Sequence, residues 1–258
     1  MEEKRPIILL SNDDGISAPG IHYLTKVLSE FGDIYMIAPE QHQSGMSHAL
    51  TFQVPLRARC IEESKHVHIY ALNGTPVDCI KFGFDQLLPN HKADLVVSGV
   101  NHGPNSANSI IYSGTASCAR EGAINKTPSI AFSSLEFSMK SSFEPYTQYI
   151  QEIVQFVLKN GLEEHIYLNV NFPKPDRHIQ GMKVCRLTKG LWIERFVAEK
   201  DPRNNTCYWL TGEYHNEEPD SDDTDEWCLA HDYVAIVPIK VENYDEHSLL
   251  TLSKLNIL

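Results

Sequence analysis

Ile7-Ile8-Leu9-Leu10-Ser11-Asn12-Asp13-Asp14-Gly15 is the stretch that decides the fold class. A short apolar run closes on two adjacent carboxylates and a glycine, and apolar residues then recur at Ile21, Leu24, Val27 and Leu28. The run reads as a buried parallel strand, the polar residues as a tight loop, and the spacing of three and four as a helix. In an open α/β sheet, ligands bind at the carboxyl ends of the strands, where this loop falls. Asp13 and Asp14, side by side, repel one another unless a cation lies between them, and hard divalent cations prefer oxygen ligands. A single Asp would serve equally well as a helix cap. Two, framed by Asn12 and Gly15, point to metal binding.

Working outward, more short apolar runs each end in a polar loop. Asp33 to Pro39 is a second strand, followed by Glu40 to His48, where Ser44-Gly45 offers a hydroxyl and an unhindered N–H. Leu50 to Arg57 and Val67 to Leu72 alternate weakly and read as antiparallel strands. Thr75 as N-cap, Pro76 at the first helical position and Asp78 three residues past the cap start a helix running to about Leu88. Ala93 to Val100 is the next buried strand and runs into the amide-rich loop Asn101 to Ser109. Ser113-Gly114-Thr115 then opens a helix, and hydroxyls, a close backbone approach and free first-turn N–H groups suit a phosphate. No Gly-Lys-Ser/Thr follows, so this is not a Walker loop.

Thr127 to Ser133 and Ile166 to Phe172 are further strands, with an amphipathic helix over 143 to 160 between them. From 182 to 214 the pattern alternates, and Asn204-Asn205 marks a long hairpin turn flanked by Trp192, Phe196, Tyr208 and Trp209. Such apolar surface is seldom left in water, which suggests a subunit contact. Thr224 caps a short helix, and Tyr233 to Ile239 is a last strand.

At 258 residues, 42% hydrophobic and 22% charged, the chain suits one α/β domain: a core over about 1–180 and a hairpin extension over about 181–258. Four apolar residues after Met1-Glu2-Glu3-Lys4-Arg5-Pro6 are too few for a signal peptide or a membrane span, so a cytoplasmic protein without membrane contact is expected. Six scattered cysteines without a Cys-x-x-Cys pair read as reduced thiols. A net charge of -12 argues against a nucleic-acid duplex as partner. The acidic run from Glu217 to Glu226 reads as a solvated loop.

Taken together, several of these segments resemble the SurE survival-protein family of metal-dependent 5'/3'-nucleotidases. The matching residues are Ser11 to Ile16, Ala38-Pro39 with Gln43-Ser44-Gly45, Gly74 to Cys79, Asp94 to Asn101, Tyr112 to Thr115, Glu121-Gly122 and Leu168 to Asn171, in family order. The resemblance implies a Rossmann-like open, mostly parallel sheet flanked by helices, and a C-terminal β-hairpin used in homodimers or homotetramers. It implies one divalent cation held by Asp13, Asp14, Ser44 and Asn101, and hydrolysis of nucleoside monophosphates. The all-oxygen donor set suits Mg²⁺ or Mn²⁺. Asp13, Asp14 and Asn101 are then the catalytic residues, with Ser44, Gly45, Asn105, Ser113, Gly114 and Thr115 around the phosphoryl group and His48 or His102 as candidate acids. Ser106-Ala107-Asn108-Ser109 stands where the family usually has glycine and aspartates, and Cys118 and Arg120 also depart from it, which bears on substrate preference.

Two other aspartate-bearing phosphate folds fit less well. A response-regulator receiver needs a phosphoacceptor Asp at the end of a later strand, and the strand after Asp94 ends in Ser98-Gly99-Val100-Asn101. A haloacid-dehalogenase phosphatase needs Asp-x-Asp, which adjacent Asp13-Asp14 does not supply. A non-catalytic metal- or nucleotide-binding module is the alternative to catalysis.

Overall fold

The computed structural model describes residues 5–242 and 244–254; Met1 to Lys4, part of the N-terminal segment read above, lie outside the described residues. In chain order the elements are β1 (Ile7–Ser11), α1 (Pro19–Leu28), β2 (Asp33–Pro39), β3 (Ala58–Glu63), β4 (Val67–Leu72), α2 (Pro76–Phe82), β5 (Leu95–His102), α3 (Gly114–Ile124) and β6 (Ser129–Ser134). They continue with α4 (Thr147–Asn160), β7 (Ile166–Phe172), β8 (Gly181–Val184), β9 (Gly190–Lys200), β10 (Thr206–Asn216), α5 (Asp225–Ala230), β11 (Tyr233–Lys240) and α6 (Glu246–Leu252).

Among the described residues, nine strands make one sheet in the order β3-β4-β2-β1-β5-β6-β7-β11-β8. From β4 to β7 every pairing is parallel; β3 joins β4, and β11 joins β7, antiparallel. Burial explains the apolar runs. Ile8 and Leu10 pack with Ile21, Leu24 and Leu28 of α1 and Ile150 and Val154 of α4. Leu9, pointing the other way, packs with Cys79 and Ile80 of α2. Helices on both faces therefore bury Ile8 to Ser11 of β1, at about 1.5–3 kcal/mol of burial per large apolar side chain.

From β1 the chain works outward through β2 to β4, then returns to β5 on the other side of β1 and continues to β7. The direction of winding thus reverses between β1 and β5. A crevice opens at the carboxyl ends of the strands at such a switch point. The paired aspartates follow β1, and Asn101 lies near the end of β5.

Several local expectations are corrected. Leu50 to Arg57 is not a strand: Pro55 has no N–H, the Thr51 N–H donates to Asp78 Oδ1 (3.1 Å), and the Arg57 N–H donates to Asn73 Oδ1 (2.6 Å). Side chains thus take the bonds a ladder would need. The helix from Pro76 passes at Gly83 into a π-helical turn ending at Leu87. The hairpin begins at Gly190, not 182, because Gly181–Val184 pairs with β11 in the main sheet. Residues after 181 therefore do not form one extension: β8 and β11 belong to the core sheet, and β9 with β10 leaves it. Among the described residues, no helix is long and apolar enough to cross a membrane.

Candidate active site

The loop after β1 is closed by its own residues. The Asn12 amide donates to Gly15 O and accepts from the Gly15 N–H, both at 3.1 Å, and Gly15 takes a left-handed φ of 95°. That conformation costs a residue with a Cβ roughly 1–2 kcal/mol, so glycine belongs here. The Gln43 N–H donates to Asp13 O (2.8 Å), and the Ser47 N–H donates to Tyr112 O (3.1 Å). The 40–48 loop is thereby laid over the crevice.

Asp13 is buried. Its Oδ1 accepts from the Thr115 hydroxyl, and its Oδ2 from the Gly114 N–H at 3.2 Å. Burial pushes its carboxyl above the usual range; the Thr115 bond opposes this and neighbouring Asp14 adds to it. Asp14 turns the other way. Its Oδ2 accepts from the His102 N–H (3.2 Å) and faces His102 Nδ1 (3.0 Å), while Oδ1 lies 3.6 Å from His42 Nδ1.

A cavity of about 260 Å³ is lined by Asp13, Ser44, Gly45, Asn101, Asn105, Ser109, Tyr112 and Ser113. The Asn101 amide nitrogen donates to Gly103 O (2.7 Å), which leaves its Oδ1 as an acceptor. Asn105 is held on three sides. Its N–H donates to Asn171 Oδ1 (2.8 Å), its amide to Ser133 Oγ (2.8 Å), and its carbonyl accepts from Asn169 Nδ2 (2.9 Å). Ser113 caps α3, accepting the Ala116 N–H on Oγ at 2.9 Å, and keeps its hydroxyl proton for another acceptor.

Some expected contacts differ. Gly114 and Thr115 both donate to Asp13, so they position the carboxylate. A Cβ at Gly114 would lie 2.7 Å from Asp13 Cβ, so the close approach serves Asp13. His48 is turned away, with Nε2 3.0 Å from Glu121 Oε2, and Glu121 also takes Lys81 Nζ at 2.6 Å. His102 is buried against Phe143 and bonded to Asp14. His42, exposed beside Asp14, is the imidazole nearest the carboxylate pair that reaches solvent.

Three supporting residues have roles that the sequence left unassigned. Asn169 and Asn171 are buried, and the signal was available: two amides in an otherwise apolar strand. Asp225, inside the run read as solvated, is fully buried. Its Oδ2 accepts from the Ala107 N–H (2.8 Å), and its Oδ1 from the Thr188 N–H (2.9 Å) and hydroxyl (2.7 Å). It therefore fixes the 105–112 loop from beneath.

Known proteins are similar to this chain in sequence and fold. The family model for survival protein SurE matches residues 8–194. The 5'-nucleotidase SurE of Flavobacterium psychrophilum is 43% identical over 251 residues, covering 96% of this chain and 97% of its own. That of Christiangramia forsetii is 43% identical over 256 residues, 98% of each chain. The crystal structure of SurE protein from Aquifex aeolicus matches with a TM-score of 0.83 and 36% identity, covering 98% of this chain and 100% of that one. With sheet, switch point and near full-length similarity in agreement, the chain belongs to the SurE family.

Proposed function

We propose that this protein is a 5'-nucleotidase, a phosphoric monoester hydrolase that releases phosphate from nucleoside 5'-monophosphates with the help of one divalent cation. One observation carries the reading: a buried carboxylate, Asp13, lines the same small cavity as the neutral donors and acceptors Ser44, Asn101, Asn105 and Ser113. A non-catalytic nucleotide-binding module is the reading that absent turnover would leave. The curated relatives named 5'-nucleotidase SurE support catalysis.

The residues fit a cation. Among the described residues, no cluster of three or more His, Cys, Asp or Glu side chains could hold a metal ion. A cation here would rest on Asp13 and the neutral oxygens of Ser44 and Asn101, which line the cavity, with Asp14 joining them on turning from His102. That set suits Mg²⁺ or Mn²⁺. The desolvation that pushes the Asp13 carboxyl upward is the cost a cation offsets. When bound, such an ion polarises a phosphoryl oxygen and lowers the pKa of water. The chain does the rest. The Ser113 hydroxyl and the second N–H of the Asn105 amide are free to donate to phosphoryl oxygens as charge develops. One of the paired aspartates would accept the proton of the attacking water, and His42, 3.6 Å from Asp14 Oδ1 and exposed, is the candidate to protonate the leaving alkoxide.

Phosphate release from a panel of nucleoside monophosphates with saturating Mn²⁺ tests this. Several bases are expected within about tenfold of one another in kcat/KM, a span of ~1.4 kcal/mol, because the binding energy sits mainly on phosphate. Nucleoside 3'-monophosphates and short polyphosphate are expected as further substrates, and phosphodiesters are expected to resist, since esterification removes an acceptor. Chelation should abolish turnover. Full activity in chelator, or no release from any monoester, would sink the proposal.

Exposed Phe196, Tyr208 and Trp209 (70%, 66% and 67% accessible) support self-association through the hairpin, into a homodimer or homotetramer. Deleting its outer half is expected to give monomers with an intact core, read by light scattering beside circular dichroism; a monomeric full-length protein refutes this. A reducing cytoplasm suits the six free thiols.

A further inference from the structure

Two aromatic side chains, one lining the cavity and one bonded to a residue that lines it, have no assigned part in holding phosphate or cation. Tyr112 lines it and is 57% exposed. Trp192, near the start of β9, is 44% exposed, and its indole N–H donates to the hydroxyl of Ser109, a cavity-lining residue, at 3.1 Å.

This rim is built, not loose. The Asn108 amide donates to Gly190 O, so the first residue of the hairpin is tied to the same turn that Trp192 grips. The Tyr214 ring packs at 6.0 Å from the indole. On the other side, the Tyr112 N–H donates to Ser109 O (3.1 Å), and its carbonyl accepts from Ser47. Trp192 has one polar atom, and that atom is satisfied at the cavity edge while much of the ring remains in water. An indole so fixed has already lost its rotamer freedom, so a flat ligand can stack on it at little further entropic cost.

The size of the cavity says which part of the substrate meets this rim. At about 260 Å³ it falls below the roughly 300–1,000 Å³ of sites that enclose a whole drug-sized ligand. It can take the phosphoryl end, and the nucleoside must then extend over the rim. We propose that Trp192, together with Tyr112, is the platform on which the base of a nucleoside monophosphate stacks. The proposal rests on the phosphomonoesterase reading above and adds the element that distinguishes a nucleotide from any other monoester. Stacking tolerates every base because each has a π-face, so the platform is consistent with broad base use, with purines bound more tightly than pyrimidines.

The test compares AMP with ribose 5-phosphate, the same monoester without its base, in the full chain with Mn²⁺. Trp192→Ala is expected to raise KM for AMP about tenfold more than KM for ribose 5-phosphate, with kcat on AMP nearly unchanged. Trp192→Phe, which keeps an aromatic face but not the N–H, should restore most of the AMP affinity. Equal losses on both substrates would show that Trp192 only braces the Ser109 turn, and unchanged AMP kinetics would show that no base rests there; either overturns the platform. Calorimetric AMP binding separates this from the parent reading. If the wild type hydrolyses neither ester, catalysis fails, yet weaker AMP binding by Trp192→Ala still supports the platform, and equal binding removes it.

Discussion

Asp13→Asn is expected to lower kcat/KM for every monoester by about a thousandfold or more, the scale of losing a central electrostatic group, while the fold survives. Asp13 is the carboxylate that lines the cavity, while neighbouring Asp14 is held toward His102. The structural cost is small. Asn keeps an acceptor for one of the two donors, Thr115 or Gly114, and turns its NH₂ toward the other. The lost bond costs on the order of 1 kcal/mol. Removing a buried charge offsets it, because burial disfavours the ionised carboxyl. The sign with pH follows. The Asp13 carboxyl is raised in the folded state, so its contribution to metal-free stability is full below the ordinary carboxylate pKa and is lost as pH rises through the raised value. The melting temperature of metal-free wild type should therefore carry a loss over that window that Asp13→Asn lacks. Added Mn²⁺ should raise the wild-type melting temperature by mass action and leave that of the variant in place. An active Asp13→Asn enzyme, or one stabilised by Mn²⁺ as wild type is, contradicts this assignment.

The features legible in the sequence were those that repeat along the chain. Ile8 to Leu10 is apolar without alternation because helices cover both faces of β1, and with the helical spacing after Gly15 that pattern points to a parallel sheet. The Thr75-Pro76-Asp78 start of α2 is local chemistry, and its capping box forms as expected. Direction was not legible. Ser113 and Thr115 are both hydroxyls at one helix start, yet Ser113 faces the cavity and Thr115 faces Asp13, because two residues along a first turn are rotated far apart. Pairing partners were equally hidden: alternation over 182 to 184 fits a hairpin as well as an edge strand, and only contact with β11 decides. His48 sits four residues from Ser44 in one loop, but a buried carboxylate on α3 captures its ring.

Asp225 is the clearest case, since composition pointed the wrong way. In a run of acidic residues the average says solvent, but Arg186 pairs with Glu218 and Asp223, and Asp225 goes inward as the first residue of α5. Asp225→Ala is expected to cost about 3 kcal/mol or more, the scale of stranding several buried donors at once. It leaves the Ala107 N–H and both Thr188 donors without acceptors, each worth about 1–3 kcal/mol when stranded. Ala107 adds to the effect: its φ of 47° is unfavourable for alanine, and the bond to Asp225 holds it there. Freed, the turn carrying Asn105, Ser109 and Tyr112 drifts from the phosphoryl position, and a misplacement near 1 Å costs about a hundredfold in rate. Asp225→Asn should fall between, since its oxygen can still serve Thr188 while its NH₂ meets the Ala107 N–H. Urea melts and kcat/KM on AMP and ribose 5-phosphate measure the two consequences together. Both substrates should lose activity equally, which separates this residue from Trp192. If Asp225→Ala unfolds at the wild-type urea concentration, or is weakened yet turns over both esters normally, then Asp225 does not hold the catalytic turn.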